Sequence, residues 1–114
     1  MTRKGIPVFI SESGATEASG DGKIDPESEE QWIQLCERLG VSWICWSISD
    51  KNESCSMLLP RANATGPWPD DVIKVYGKLV KGLLEKYNDK RKKRRPLGFL
   101  FFYTFFVLRD KVRS

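Results

Sequence analysis

In "GIPVFISESG", residues 5 to 14, a carboxylate closes an apolar run. A carboxylate fixed at the end of a buried strand can serve as a nucleophile or a general base, whereas one in a solvated turn does no chemistry. A second apolar run, "VSWICWSIS" at residues 41 to 49, places Trp46 near its end. An acid beside an aromatic face suits a sugar: the carboxylate attacks the acetal carbon, and the C–H face of a pyranose lies against the ring. Each residue also has a plainer reading. Glu12 can be a turn residue, Trp46 and Trp43 core, and Trp68 in "GPWPDD" packing at the start of a helix.

Other chemistries are excluded by composition. The chain has no histidine, so imidazole metal sites and His-activated nucleophiles are absent from it. Cys36, Cys45 and Cys55 are odd in number and lack a C-x-x-C pair, which suggests neither a zinc site nor a full disulfide framework. No metal and no cofactor is implied.

These residues need elements to position them. Residues 6 to 11, "IPVFIS", are β-branched and aromatic, and predict a strand buried on both faces with Pro7 at its start. The Gly-, Ser- and Asp-rich stretch that follows predicts a long loop, and long loops after strands often carry function. Asp25 predicts an N-cap, with Pro26 in the first helical position and Glu27, Glu29 and Glu30 beside the positive end of the helix dipole. Trp32, Leu35, Cys36 and Leu39 then repeat at helical spacing as one buried stripe, and Gly40 stops the helix. A second strand over 41 to 49 and a second long loop lead to a helix from about Asp70 to Asn88. Its stripe is Val72, Ile73, Tyr76, Leu79, Val80, Leu83, Leu84 and Tyr87.

The order strand, loop, helix, strand, loop, helix predicts an α/β fold with a parallel sheet and helices outside it. In such folds the chemistry sits at the C-terminal strand ends, where Glu12 and Trp46 fall. Charge is unevenly placed. Through Asn88 there are ten Lys and Arg against thirteen Asp and Glu, and from Asp89 onward nine against two, so the basic balance belongs to the tail and gives no reason to infer nucleic acid as a partner. The tail, "DKRKKRRPLGFLFFYTFFVLRDKVRS", has an apolar run from Leu97 to Leu108, shorter than the roughly 20 residues that span a bilayer. Membrane crossing is therefore not expected. The first residues also lack the long apolar region and cleavage site of a signal peptide.

Together, "GIPVFISESG", "ASGDGKID", "LCERLGVSWICWSISDKNES" and "GPWPDD" resemble glycoside hydrolase family 5, the cellulase-type endo-β-1,4-glucanases, over about residues 4 to 88. The resemblance implies the last two βα units of a (β/α)8 TIM barrel in residues 1–88, a C-terminal quarter of a catalytic domain, with 89–114 as a tail outside the family pattern. It implies hydrolysis of β-1,4-glucosidic bonds by a retaining mechanism. By the same resemblance Glu12 is the nucleophile, Trp46 the platform beneath the sugar beside the scissile bond, and Lys51 and Glu53 contacts to glucan hydroxyls. The bland alternative for Lys51 and Glu53 is a surface ion pair. The implied partner is a β-glucan polysaccharide, and the parent family is secreted. Two positions depart from the pattern: Ser13 stands where the family commonly has an aromatic residue, and Cys45 where an Asn often precedes the Trp.

A retaining glycosidase needs a second carboxyl group about 5 Å from the first. The family places that acid/base Glu on the fourth strand, and nothing in this chain matches it; Glu17 and Glu53 lie in loops that match other roles. The rest of the barrel is absent too, so the fragment alone is expected to be inactive. Two rival readings differ in class. One is a non-catalytic carbohydrate-binding remnant using Trp46 and Trp68, and the other is a membrane-associated or interaction protein defined by its tail.

Overall fold

The computed structural model describes residues 4–94, with side chains through residue 88. Strand β1 (Phe9–Ile10), helix α1 (Pro26–Leu39), strand β2 (Ser42–Trp43) and helix α2 (Val75–Arg94) follow one another, with a 3-10 turn at Asp70–Val72. The strands pair in parallel, Phe9 with Ser42 and Ile10 with Trp43. This is the alternating α/β order read from the sequence, and α1 is the crossover between the two strands.

Helix α1 forms where its punctuation lies. Asp25 accepts a hydrogen bond from the Ser28 amide at 3.0 Å, Pro26 occupies the first helical position, and Gly40 closes the helix in the left-handed region with φ 66°. An N-cap of this kind contributes about 1 kcal/mol. The buried stripe, however, is offset from the one expected. Glu29, Ile33 and Cys36 face inward, while Trp32 and Leu39 are more than half exposed. Ile33 packs against Leu83 and Tyr87 of α2, and that contact sets the helix's rotation. Trp32 instead lines the groove between α1 and the strands.

Strand β1 also differs from the expectation of burial on both faces. Ile6 and Val8 just before it and Phe9 within it are exposed. Between β1 and α1 lies an open groove of about 320 Å³, lined by Ile10, Trp32, Ile33, Cys36 and Trp43, with Glu12, Ser13 and Glu29 at its polar end.

The second helix starts later than the pattern suggested. Val72 ends the 3-10 turn and Ile73 is extended, its φ being −94° and ψ 123°. Ile73 forms an antiparallel bridge with Leu58. From Val75 the stripe Tyr76, Val80, Leu83 and Tyr87 is buried as expected, and the helix runs on past Asn88 to Arg94. The predicted boundary at Asn88 therefore falls inside a helix, and the rest of the tail, 95–114, lies outside the described residues. Much of the core comes from the second long loop. Cys55, Ser56, Met57 and Leu58 are all buried, and Cys55 and Met57 join Ala15, Tyr76 and Val80 in one cluster. Glu30 ties the helices together, accepting from Lys86 Nζ and, at 3.1 Å, from the Tyr87 hydroxyl.

Two glycines of α2 separate local propensity from packing. At Gly82 an added Cβ meets nothing within 4 Å, whereas at Gly77 it would lie 2.5 Å from Met57 O and 2.7 Å from Ile73 Cγ2. Gly82→Ala is expected to stabilise the chain by up to about 1 kcal/mol, the helix-propensity difference. Gly77→Ala is expected to destabilise it despite the same propensity gain, because the obstacle is backbone. Urea midpoints of the two variants check this, and movement in the same direction would contradict it.

Candidate functional site

The two strands continue toward their C-terminal ends as an irregular ladder. Ile44 N donates to Ile10 O at 3.1 Å, and Trp46 N donates to Ser13 O at 2.7 Å. Three residue steps on the first strand are thus matched by two on the second. The extra residue falls at Ser11–Glu12, a local two-against-one arrangement of the kind that re-aims side chains at strand ends. Glu12 is exposed there, one residue before the amino acid whose carbonyl holds Trp46.

Behind these strand ends lies a buried carboxylate that the sequence reading took only for a dipole partner. Glu29, in the first turn of α1, is 2% exposed. Cys45 Sγ donates to its Oε1 at 3.3 Å, and Ser13 Oγ lies 3.4 Å from the same oxygen and 3.0 Å from Ile44 O. Glu29 therefore touches the chain neighbours of Glu12 and Trp46. A signal was present: Glu29, Ile33 and Cys36 share the i, i+4, i+7 spacing of an inward face. Burial, then the nearby Glu29 charge, pushes the Cys45 thiol up to about 12. The Tyr76 hydroxyl is buried without a hydrogen-bond partner among the described residues, and burial raises its pKa as well.

The remaining aromatic candidates divide by position. Trp46 is half-buried against the cluster that contains Cys55, Met57 and Tyr76. Trp43 packs on the helix side, as its plainer reading proposed, and its Nε1 donates to Glu37 Oε1 at 3.1 Å. Trp68 folds into its own loop, with Nε1 donating to Asn63 O at 2.9 Å. Lys51 is exposed beyond β2 and Glu53 is half-buried. They are not an ion pair: the pairs among the described residues are Arg61–Asp71, Lys81–Asp70 and Lys86–Glu30. The structure thus brings Glu12 and Trp46 to neighbouring strand ends and sets Lys51 and Glu53 on the loop that follows. No cluster of potential metal ligands occurs among the described residues.

Comparison with known proteins places this arrangement. The family profile described as Cellulase (glycosyl hydrolase family 5) matches residues 1–52. Endoglucanase N of Pectobacterium atrosepticum is 36% identical over 78 residues, 68% of this chain and 18% of that protein. This chain is a cellulase-type family 5 segment. The family 5 segment also matches solved structures: a protein from Cytophaga hutchinsonii with TM-score 0.70 and 33% identity, over 76% of this chain and 28% of that one. The catalytic domain of a Thermobifida fusca endoglucanase, solved in complex with cellotetraose, matches with TM-score 0.64 and 30% identity over 69% of this chain and 26% of that one. The segment spans about a sixth of the length of the curated relatives it matches and about a quarter of the solved chains. It is a partial α/β unit of a barrel cellulase fold.

The environment of Cys45 yields a direct check. With its pKa moved from 9.0 to about 12, roughly a thousandfold less thiolate forms at pH 8 than at an ordinary cysteine. Iodoacetamide at pH 8 is expected to leave Cys45 unmodified in the folded chain and to alkylate it in urea, as read by peptide mass mapping. Rapid native alkylation at Cys45 would show that the thiol is not held as described.

Proposed function

We propose that this segment contributes the nucleophile and part of the glucan-binding surface to a family 5 endo-β-1,4-glucanase. The observation that carries the proposal is the ladder bond from Trp46 N to Ser13 O at 2.7 Å, which joins the strand end bearing Glu12 to the strand end bearing Trp46. In this reading the Glu12 carboxylate attacks the anomeric carbon as the glycosidic bond breaks, and an acid from elsewhere in the domain protonates the leaving oxygen. The covalent glycosyl-enzyme is then opened by water, which the same residue deprotonates. Trp46 offers an indole face to the sugar beside the cleaved bond. Lys51 and Glu53 hydrogen-bond glucan hydroxyls, Lys as donor and the carboxylate as acceptor.

The substrate class is supported by the kinship and by the site's parts, an acid with an aromatic residue on the neighbouring strand end. Because cellulose is insoluble and bulky, such an enzyme acts outside the cell. The rival reading of a carbohydrate-binding remnant would use the ring faces of Trp46 and Trp68, the latter oriented by the bond from its indole nitrogen to Asn63 O. As to the tail-based membrane reading, no helix among the described residues is long and apolar enough to cross a membrane, and the tail beyond Arg94 lies outside them.

Two measurements test the proposal. The isolated chain is expected to release no reducing sugar from carboxymethylcellulose, since one carboxylate cannot both attack and protonate. Grafting residues 4–88 in place of the matched segment of the Thermobifida fusca catalytic domain is expected to give an active chimera. Glu12→Gln in that chimera should lower kcat by roughly 10⁴-fold or more, the scale seen when a nucleophile is removed. Full activity in the Glu12→Gln chimera would refute the assignment of Glu12.

A further inference from the structure

The loops that follow the two strands meet at one carboxylate. Asp21 Oδ1 accepts from the Ser54 amide at 3.1 Å and from Ser54 Oγ at 2.9 Å, and Ser54 Oγ lies 2.7 Å from Gly22 O. One residue on, Cys55 N donates to Gly20 O at 3.0 Å. From the other side, Lys74 Nζ at the foot of α2 donates to Glu53 O at 2.7 Å. The backbone at Glu53 is thus held from both directions, by Ser54 and Cys55 after it and by Lys74 at its own carbonyl.

The local backbone is built for this contact. Gly20 and Gly22 flank Asp21 with φ of +80° and +97°, conformations that residues with a Cβ rarely adopt. The turn they make aims the Asp21 carboxylate across the gap between the loops. The Glu53 side chain lies close to this turn, its Oε2 3.7 Å from the position a Cβ on Gly20 would take. Asp21 is held below the ordinary carboxylate range, first by the Gly22 amide and then by Ser54, so the acceptor is charged at neutral pH.

We propose that Asp21 is a positioning residue for Glu53: acting through Ser54, it fixes the loop that presents the Glu53 carboxylate to the glucan, without touching the sugar. This rests on the reading of Glu53 as a glucan contact. Neither the charge of Asp21 nor its place in a polar loop would require such a role; the convergence of three separate bonds on the backbone around one side chain does.

The test titrates cellotetraose into the 114-residue chain and follows the Glu53 carboxyl and Trp46 indole resonances by NMR, with amide hydrogen exchange alongside. In Asp21→Ala the sugar-induced shift at Glu53 is expected to collapse while that at Trp46 persists, and affinity should fall roughly tenfold, the effect of losing a charged acceptor. Exchange should quicken at the Ser54 and Cys55 amides but not in α1 or α2, which shows that the fold is intact. Asp21→Asn keeps an Oδ1 acceptor and should restore most of the Glu53 response. An unchanged Glu53 response in Asp21→Ala overturns the proposal. So does equal loss at Glu53 and Trp46 with no rescue by Asp21→Asn, because that marks a general structural loss. Absence of any wild-type response at Glu53 overturns the glucan-contact reading itself, and with it the role assigned to Asp21.

Discussion

The geometry of the candidate site turns on a short parallel ladder with one residue too many on one side. The bonds from Ile44 to Ile10 and from Trp46 to Ser13 are 3.1 and 2.7 Å, so both hold, yet the first strand takes three steps where the second takes two. A regular ladder would keep successive residues paired and alternate their faces strictly. The added residue breaks that alternation at Ser11–Glu12 and leaves Glu12 exposed beside the anchored Trp46.

The ladder's far end is steadied from behind by Glu29. A buried carboxylate is expensive unless it is hydrogen-bonded, and its two partners, Ser13 and Cys45, are weak or distant donors. A small hydroxyl and a thiol fit between the strands and α1, and both reach the same oxygen. The Cys45 thiol remains protonated in consequence, since burial and the facing carboxylate both oppose a second negative charge. Residues of neighbouring strands thus share one buried partner, which makes Ser13, Glu29 and Cys45 a coupled set.

How much of this was legible in the sequence depended on what each feature requires. Helix α1 was legible at both ends because Asp25, Pro26 and Gly40 act through the backbone next to them. Its inward face was misjudged by one position, since apolar residues at 32, 35, 36 and 39 describe a stripe, but the rotation that buries Ile33 is decided by Leu83 and Tyr87, far along the chain. The stripe of α2 was readable, while its start was not: the bridge from Ile73 to Leu58 holds that residue extended against its helical pattern. The buried run Cys55 to Leu58 has no helical or alternating period, so only its apolar composition hinted that this loop enters the core. Glu12 and Trp46 were found through a resemblance and their strand-end positions, and Asp21 was missed because its partner lies 33 residues away.

These contacts divide the molecule into a consolidated side and an open one. On the consolidated side, α2, the loop at Cys55 to Leu58 and the inner face of α1 bury Tyr76, Ile33 and Ser56 almost completely. On the open side, β1, the residues before it and the outer face of α1 expose Ile6, Val8, Phe9, Trp32 and Leu39, whereas the described part of α2 exposes only Val75 among the large apolar residues. Stability in this segment therefore comes from helix and loop packing rather than from the sheet, whose two strands pair over only two residues each. That division explains how two strands that are too short and too exposed to hold themselves can still present Glu12 and Trp46 at adjoining ends. The strands are held from outside by α1 through Glu29 and by the loop through Asp21 and Ser54, so site geometry is set by the layer that surrounds the sheet.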